Sequence, residues 1–325
     1  MFKRILLPLD GSAWAEATLP HALALAQLAD AELILLHVVE EHAGARFVDP
    51  LGWQVQQAVT QTYLAQTCRQ LRAHGVQSEY LLDAGSPAER IIEQAERLEV
   101  GLILMSSHGQ SGRTDASLGT VAHKLMEHIG TSGMLVRVHA EPSGTHDLAP
   151  ARYRTILVPL DGSRRAECVL SIANRLAAAQ GAELVLAHVV RCPALLSWAV
   201  LWMSREDRNL AEQLMRLNQS IAEQYLTQLQ GRQDAPTALA LAQADNVAIE
   251  LHHLAEQHQA DLVLLSAHGA GANPLRLVGD TLSNLLAYCR QPVLVYQDRP
   301  RSQASKPEAA PQREHASVHE LASWR

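Results

Sequence analysis

The sequence predicts an α/β protein of two tandem domains, each an open five-stranded parallel sheet flanked by helices. Two observations predict this fold class. First, residues 5–12 (ILLPLDGS) return as residues 156–163 (ILVPLDGS), an offset of 151 positions. Second, short apolar runs alternate with segments of helical periodicity in each copy, which is typical of a doubly wound sheet. Ligands of such sheets bind beyond the carboxyl ends of the strands, where the strand order reverses.

The repeat extends along most of the chain. Residues 31–39 (AELILLHVV) match 182–190 (AELVLAHVV) at the same offset, while His108 matches His268 at an offset of 160. A period of this length indicates a duplicated domain, since solenoid repeats are about 20–50 residues long. We therefore predict a first domain, a linker rich in Pro, Gly and polar residues, a second domain and a disordered, proline-containing tail, at residues 1–140, 141–151, 152–298 and 299–325.

Each element of the first copy has a local signal. Buried strands are expected at residues 4–9, 32–39, 77–82, 100–105 and 134–138. Ser12 is the expected N-cap of a helix over residues 13–29, in which Pro20 should cause a kink or a shift. The next helix should end near Gly75, and Pro87 should lie in the first turn of the one after it.

A loop of small residues connects the fourth strand to a helix. The apolar run 102–105 ends in Ser-Ser-His-Gly at residues 106–109, and Gly119-Thr120 precedes a segment with helical spacing. A loop that begins at a strand end and closes at a helix start directs backbone N–H groups towards an anion, usually a phosphate. If the first and fourth strands are neighbours, the turn after Asp10 lines the same crevice.

Composition and charge exclude several classes of function. A net charge of −7 and an aromatic content of 4% argue against nucleic-acid binding. No apolar stretch approaches the ~20 residues of a membrane span, and no signal peptide is recognised, so we expect a cytoplasmic protein. The four cysteines have no CxxC spacing and are expected to be reduced thiols. The sixteen histidines form no cluster with zinc-site spacing, so we predict no metal site.

The sequence contains neither a Gly-x-Ser-x-Gly elbow nor a Gly-x4-Gly-Lys-Ser/Thr loop. Arg113 is the one Lys or Arg residue in the 106–120 loop. The sequence indicates no residue that would act as a base to activate water. We treat His108 and His268 as residues that stabilise turns or line a pocket. No catalytic residue is therefore assigned, and slow ATP hydrolysis stays an alternative.

Three motifs, in the same order in both copies, resemble the universal stress protein family. They are a strand ending in Pro8-Leu9-Asp10, a strand ending in His37-Val38-Val39, and Gly109-x9-Gly119-Thr120. The resemblance covers the chain to about residue 298 and implies two Rossmann-like (adenine nucleotide α-hydrolase-like) domains. It also implies an ATP pocket, with Mg²⁺ held through the phosphates.

The resemblance assigns binding roles to positions of this chain. Asp10 would lie beside the adenine and ribose, the backbone around Val38 would read the adenine edge, and Gly119 with Thr120 would hold the phosphate tail. The full first site is Pro8, Leu9, Asp10, Val38, Met105, Ser106, Gly109, Gly119, Thr120 and Val121. A weaker second site would comprise Asp161, Val189, Ser266, Gly269 and Gly279.

The chain departs from the family motif at two positions, and the second departure makes the copies unequal. Ser106 and Ser266 stand where the motif has its first glycine, and Asp280 replaces the Ser or Thr that follows Gly279. Two like charges ~4 Å apart repel by about 4 kcal/mol at an effective dielectric near 20. The first copy is therefore expected to bind ATP, and the second to bind it poorly or to bind something else.

The function predicted is an ATP-binding regulatory module of the stress response. The alternatives are a nucleotide-independent interaction protein with degenerate pockets, and a weak ATPase.

Members of this family commonly dimerise through the fifth strand, so the two copies are expected to pair as an intramolecular pseudo-dimer, with a homodimer as the alternative. The apolar segment 195–203 is expected either to pack over the sheet or to form a lid or partner site.

Overall fold

The fold is an α/β sandwich built on one mixed sheet. The computed structural model describes residues 2–40, 50–109, 118–128, 130–138, 148–191, 204–270 and 280–297. The expectations for Gly279, for the segment 195–203 and for the tail 299–325 fall outside these ranges.

The first repeat alternates strands and helices. Its elements are β1 (Arg4–Pro8), α1 (Ala13–Glu16), α2 (Leu19–Ala29), β2 (Glu32–Val39), α3 (Pro50–Ala73), β3 (Ser78–Ala84), α4 (Pro87–Arg97), β4 (Leu102–Ser106), α5 (Thr120–His128) and β5 (Ser132–Val136).

The second repeat follows the same order. Its elements are β6 (Thr155–Pro159), α6 (Arg164–Glu167), α7 (Leu170–Gln180), β7 (Glu183–Arg191), α8 (Arg205–Gln230), β8 (Thr237–Ala244), α9 (Val247–Gln257), β9 (Leu262–Ser266), α10 (Asp280–Tyr288) and β10 (Val293–Tyr296). The predicted fold class is confirmed.

The described strands form one sheet in the order β3-β2-β1-β4-β5-β10-β9-β6-β7-β8. Pairing within each repeat is parallel, whereas β5 and β10 are antiparallel, with Met134 opposite Leu294. The predicted adjacency of the first and fourth strands is confirmed, because β1 pairs with β4 at Ile5 and Leu102. The strand order of the first repeat reverses there, which places a crevice at the carboxyl ends of β1 and β4.

Both faces of the sheet are covered, which explains why the strands are continuously apolar. Leu7 of β1 belongs to the core under α2 and α3, and the neighbouring Leu6 belongs to the core under α4 and α5. Both side chains are fully buried. Each alternate residue of a strand therefore packs beneath a different helical layer.

The prediction of a single helix over residues 13–29 is wrong in one respect. The segment forms two helices, α1 and α2, and Pro20 lies in the first turn of α2. Proline has no N–H to donate and its ring blocks the preceding turn, so a helix restarts at it more easily than it passes through. The predicted N-cap is confirmed, since Ser12 Oγ accepts the N–H of Ala15 at 3.2 Å.

Arg137 connects the two repeats in addition to the pairing of β5 with β10. Arg137, directly after β5, donates from Nη2 to the carbonyl oxygens of Leu286 and, at 3.0 Å, Ala287. These carbonyls lie in the last turn of α10, where helical carbonyls lack intrahelical partners and where a cation is favoured by the helix dipole. Arg137 therefore caps a helix of the other repeat.

Replacing Arg137 with methionine, which keeps an aliphatic stem, should lower the free energy of unfolding by about 1.5 kcal/mol, the usual contribution of a charged hydrogen bond. Urea unfolding of the full chain measures this. Arg216→Met is the matched control, because Arg216 is 82% exposed and pairs with Glu212 at 3.8 Å across one helical turn. Equal loss of stability in the two variants would contradict a specific role for Arg137.

Candidate functional site

The candidate site lies at the carboxyl ends of β1, β2 and β4 and at the first turn of α5. Asp10 follows β1, Ser106 is the last residue of β4, and Thr120 is the first residue of α5. Because β1 pairs with both β2 and β4, the turns that leave these strands share one edge of the sheet.

The Asp10 carboxylate joins the two turns. Its Oδ1 accepts hydrogen bonds from the backbone N–H of Ser12 at 2.9 Å and from Ser12 Oγ at 2.5 Å. Its Oδ2 lies against Gly109: a Cβ added there would be 2.2 Å from this oxygen. An alanine at position 109 would therefore displace the Asp10 carboxylate. We call this arrangement the aspartate latch.

The second repeat has the same latch. Asp161 Oδ1 accepts the N–H of Ser163 at 3.0 Å, and Oδ2 accepts the N–H of Ala270 at 2.6 Å. A Cβ at Gly269 would lie 2.0 Å from Asp161 Oδ2. In the second repeat one carboxylate thus bonds two loops that are about a hundred residues apart in the chain, and in the first repeat the matching carboxylate bonds one turn and lies against the other.

Ser107 closes the loop of the first repeat. Its N–H donates to the carbonyl of Val136 at 2.9 Å, and its own carbonyl accepts the N–H of Gly119 at 2.9 Å. The side chain is fully buried, with Oγ 2.9 Å from His108 Nδ1. The two backbone bonds tie the end of β4 to β5 and to the residue that precedes α5. In the second repeat Ala267 likewise donates its N–H to the carbonyl of Tyr296 at 2.8 Å, but it has no hydroxyl to match that of Ser107.

Helix α5 begins where the sequence predicts an anion-binding turn. The Gly119 carbonyl accepts the N–H of His123 at 2.9 Å, so Gly119 occupies the N-cap position. Thr120 is exposed and Val121 is half-buried. The N–H groups of a first helical turn have no intrahelical acceptor, and the helix dipole adds partial positive charge there. This end of the crevice can therefore accept an anion.

The serines that replace the first motif glycine turn their hydroxyls into the loop. Ser106 Oγ donates to the carbonyl of His108. Ser266 Oγ accepts the N–H of His268 at 3.4 Å. Each hydroxyl therefore supports the backbone of its own turn and does not need a partner in the crevice.

The remaining predicted residues divide into backbone and side-chain candidates. Leu9 and Met105 have buried side chains, so they can present only backbone groups to a ligand. Val38 is half-buried at the end of β2, as is Val189 at the end of β7. His37 Nδ1 lies 2.7 Å from the carbonyl oxygen of Leu9 and fixes the strand exit of β1.

Sequence reasoning missed a tyrosine beside the latch in each repeat. Burial, followed by the charges of Glu16 and Asp10, raises the pKa of the Tyr63 hydroxyl. Tyr225 has a raised pKa for the same reasons, with Glu167 and Asp161 as the neighbouring carboxylates. The sequence contains a signal for these tyrosines, because each lies in the long helix between the second and third strands of its repeat.

The described part of the chain contains no group of three or more His, Cys, Asp or Glu side chains that could hold a metal ion. Cys68, Cys168 and Cys289 do not form disulfide bonds. Burial raises the pKa of Cys289 to about 11, which keeps that thiol protonated and unreactive. Of the helices in the described ranges, none has the length and hydropathy that a membrane span requires.

Fold and site together define a tandem α/β protein with a duplicated loop-and-helix crevice. The sequence model of the Universal stress protein family matches residues 1–137 and 152–297. The chain belongs to the universal stress protein family.

Relatives of two lengths match. Universal stress protein YxiE of Bacillus subtilis is 30% identical over 149 residues, covering 42% of this chain and 100% of its own. A universal stress protein of Mycolicibacterium smegmatis is 24% identical over 304 residues, covering 91% of this chain and 97% of its own. The crystal structure of a universal stress protein from Archaeoglobus fulgidus is 18% identical, with a TM-score of 0.59, and covers 91% and 98% of the two chains.

Proposed function

We propose that this protein binds ATP, mainly in its first repeat, and acts as a regulatory binding module in a stress response. The observation that carries the proposal is the closed loop of the first repeat, in which Ser107 binds both Val136 and Gly119. This loop supports an anion-accepting helix start next to the aspartate latch. Membership of the universal stress protein family supports the stress role.

The phosphate end of the proposed site is the first turn of α5. Backbone N–H groups at Thr120 and Val121, the Thr120 hydroxyl and the helix dipole would favour the phosphate tail. Gly119 suits this role because a Cβ there would come within 3.2 Å of the Ser107 carbonyl oxygen. A larger residue would push the helix start away from the loop.

The nucleoside end of the proposed site is the edge formed by β1 and β2. Backbone groups of Pro8, Leu9 and Val38 would contact the adenine, and Met105, Ser106 and Gly109 would follow the ribose and phosphates. Asp10 bonds Ser12 and lies against Gly109, so these two turns are already in contact before a ligand enters. A preordered site loses less conformational entropy on binding.

Mg²⁺ would reach this site with the nucleotide. The described residues offer no cluster of metal ligands, and Mg²⁺ commonly binds nucleotide sites through phosphate oxygens with few carboxylates. We assign no catalytic residue, because the Asp10 carboxylate accepts two hydrogen bonds from Ser12 through Oδ1 and serves as part of the turn. Turnover of ATP that disappeared in Thr120→Ala would contradict this and support a weak ATPase.

The second repeat is proposed to bind ATP weakly through Asp161, Val189, Ser266, Gly269 and Gly279, since Asp280 begins α10. A carboxylate at that helix start disfavours a triphosphate. The same substitution supports the alternative function, a nucleotide-independent interaction protein. The antiparallel register of β5 with β10 and the Arg137 cap support assembly of the repeats as an intramolecular pseudo-dimer.

Extraction of nucleotide from the purified protein, followed by calorimetry with ATP, tests the proposal. We expect one ATP to bind per chain with measurable affinity. If neither co-purified nor added ATP bound, the nucleotide-independent alternative would replace this proposal.

Gly109→Ala should lower ATP affinity at least tenfold, because the new Cβ would meet the Asp10 carboxylate at 2.2 Å and open the latch. Gly269→Ala is the matched control: it disturbs the same contact in the second repeat and should leave the ATP affinity of the chain unchanged. Circular dichroism confirms that both variants are folded. Equal ATP affinities in the two variants would place the binding site elsewhere.

A further inference from the structure

The N-terminal half of α8 carries an exposed apolar face. Four apolar residues on this face are 51–56% exposed: Leu210, Leu214, Leu217 and Ile221. We call these four residues the leucine stripe. The C-terminal half of the helix packs on the sheet, through the buried Ala222, Leu226 and Leu229. Exposed apolar faces of this kind usually mark contact surfaces.

The helix does not need the stripe in order to form. Ser204 Oγ accepts the N–H of Asp207 at 3.1 Å and donates to its carboxylate at 2.7 Å. Glu206 and Asp207 place negative charge in the first turn, where the helix dipole favours it. Capping therefore supports the N-terminal half, and the stripe is available for another role.

The stripe is self-complementary. Its residues are separated by four, three and four positions, the spacing of a coiled-coil seam. This spacing is the same in both chain directions. Two copies of α8 placed antiparallel around a two-fold axis would therefore set Leu210 against Ile221 and Leu214 against Leu217. A closed two-fold contact requires such a self-complementary surface.

The residues around the stripe also suit a second copy. Exposed Asp207 and Gln224 would form polar layers at its two ends and limit the seam. Between Leu210 and Ile221 the positions that would flank the seam carry no charge, so the central part of two identical helices meets without like-charge repulsion; these positions are Ala211, Gln213, Asn218 and Ser220.

We propose that the protein forms a homodimer through antiparallel pairing of the leucine stripes of two copies. A helix half of this length spans about 25 Å, and its contact area is smaller than the ~800 Å² per partner of a standard interface. The dimer is therefore weak and depends on protein concentration. The pairing is independent of nucleotide binding.

Sedimentation velocity of the full chain over a concentration series up to ~100 μM tests the proposal. Wild type should show a monomer–dimer equilibrium. Leu214→Glu and Leu217→Lys should each raise the dissociation constant at least about 30-fold, as loss of a central apolar contact does. Asn209→Glu, on the same helix but off the stripe, is the matched control and should dimerise like wild type.

A mixture of the two stripe variants tests the direction of pairing. In the antiparallel seam the glutamate introduced in one variant would face the lysine introduced in the other, so the mixture should form a heterodimer although each variant alone is monomeric. Only folded chains can do this, which excludes misfolding as the cause of the monomers. A monomeric wild type, dimeric single variants, or a mixture that stays monomeric would each overturn the proposal.

Discussion

Replacing Asp280 with threonine is expected to raise the affinity of the second repeat for ATP by several hundredfold. Asp280 is the first residue of α10, the position that Thr120 holds at the start of α5. A unit charge ~4 Å from a phosphate costs about 4 kcal/mol at an effective dielectric near 20, and each 1.4 kcal/mol changes affinity about tenfold. The charge at one helix start thus accounts for the proposed difference between the repeats.

Calorimetry with ATP measures the effect as a second binding site per chain. Thr120→Asp, the reciprocal change, should abolish the first site. Asp234→Asn is the charge control: it removes one negative charge at an exposed position outside helix α10 and should leave binding unchanged. An Asp280→Thr protein that still bound a single ATP would show that this charge does not limit the second repeat.

His21 should make the fold less stable in mild acid. Its Nδ1 lies 2.8 Å from the hydroxyl of the fully buried Tyr153, so it connects α2 to the start of the second repeat. Burial lowers the pKa of His21 to about 4, against 6.5 for a free side chain. As the pH falls from 6.5 to 4, the His21 imidazole becomes protonated in the unfolded chain but stays neutral in the folded chain. The resulting loss of stability approaches about 3 kcal/mol below pH ~4 and is absent above pH ~6.5.

Urea unfolding at a series of pH values, compared between wild type and His21→Gln, isolates this contribution. Glutamine stays neutral, so the stability difference between the two proteins should change by about 3 kcal/mol between pH ~6.5 and ~4. Gln70→Ala is the control, because Gln70 is exposed and neither residue titrates, and its difference from wild type should stay constant. A constant difference for His21→Gln would contradict the lowered pKa.

Much of the fold could be predicted from the sequence because its signals are local and repeated. The apolar runs gave every strand of the first repeat, and Ser12 and Pro87 marked two helix starts correctly. The fifth strand was predicted two residues late: it begins at Ser132, whose neighbour Gly133 is buried opposite Val295 of β10. A Cβ at Gly133 would lie 3.4 Å from Sδ of Met126 in α5, so the small residue reflects the packing of that helix on the strand, which an apolar pattern does not reveal.

The site was harder to predict than the fold, because its contacts join distant parts of the chain. The atom nearest to a Cβ built at position 109 belongs to Asp10, about a hundred residues away in the chain. Ser106 departs from the family motif, and its hydroxyl binds the backbone of His108. Local sequence spacing predicted that a loop and a helix start would meet, and could not predict which side chain would hold them.

The ladder between β5 and β10 has a consequence for stoichiometry. Both strands belong to one polypeptide, so the contact between the repeats is held at a fixed effective concentration, whatever the abundance of the protein. Every molecule therefore carries one crevice with Thr120 and one with Asp280, in a constant one-to-one ratio. Dilution or a change in expression alters the number of such pairs and leaves their composition unchanged.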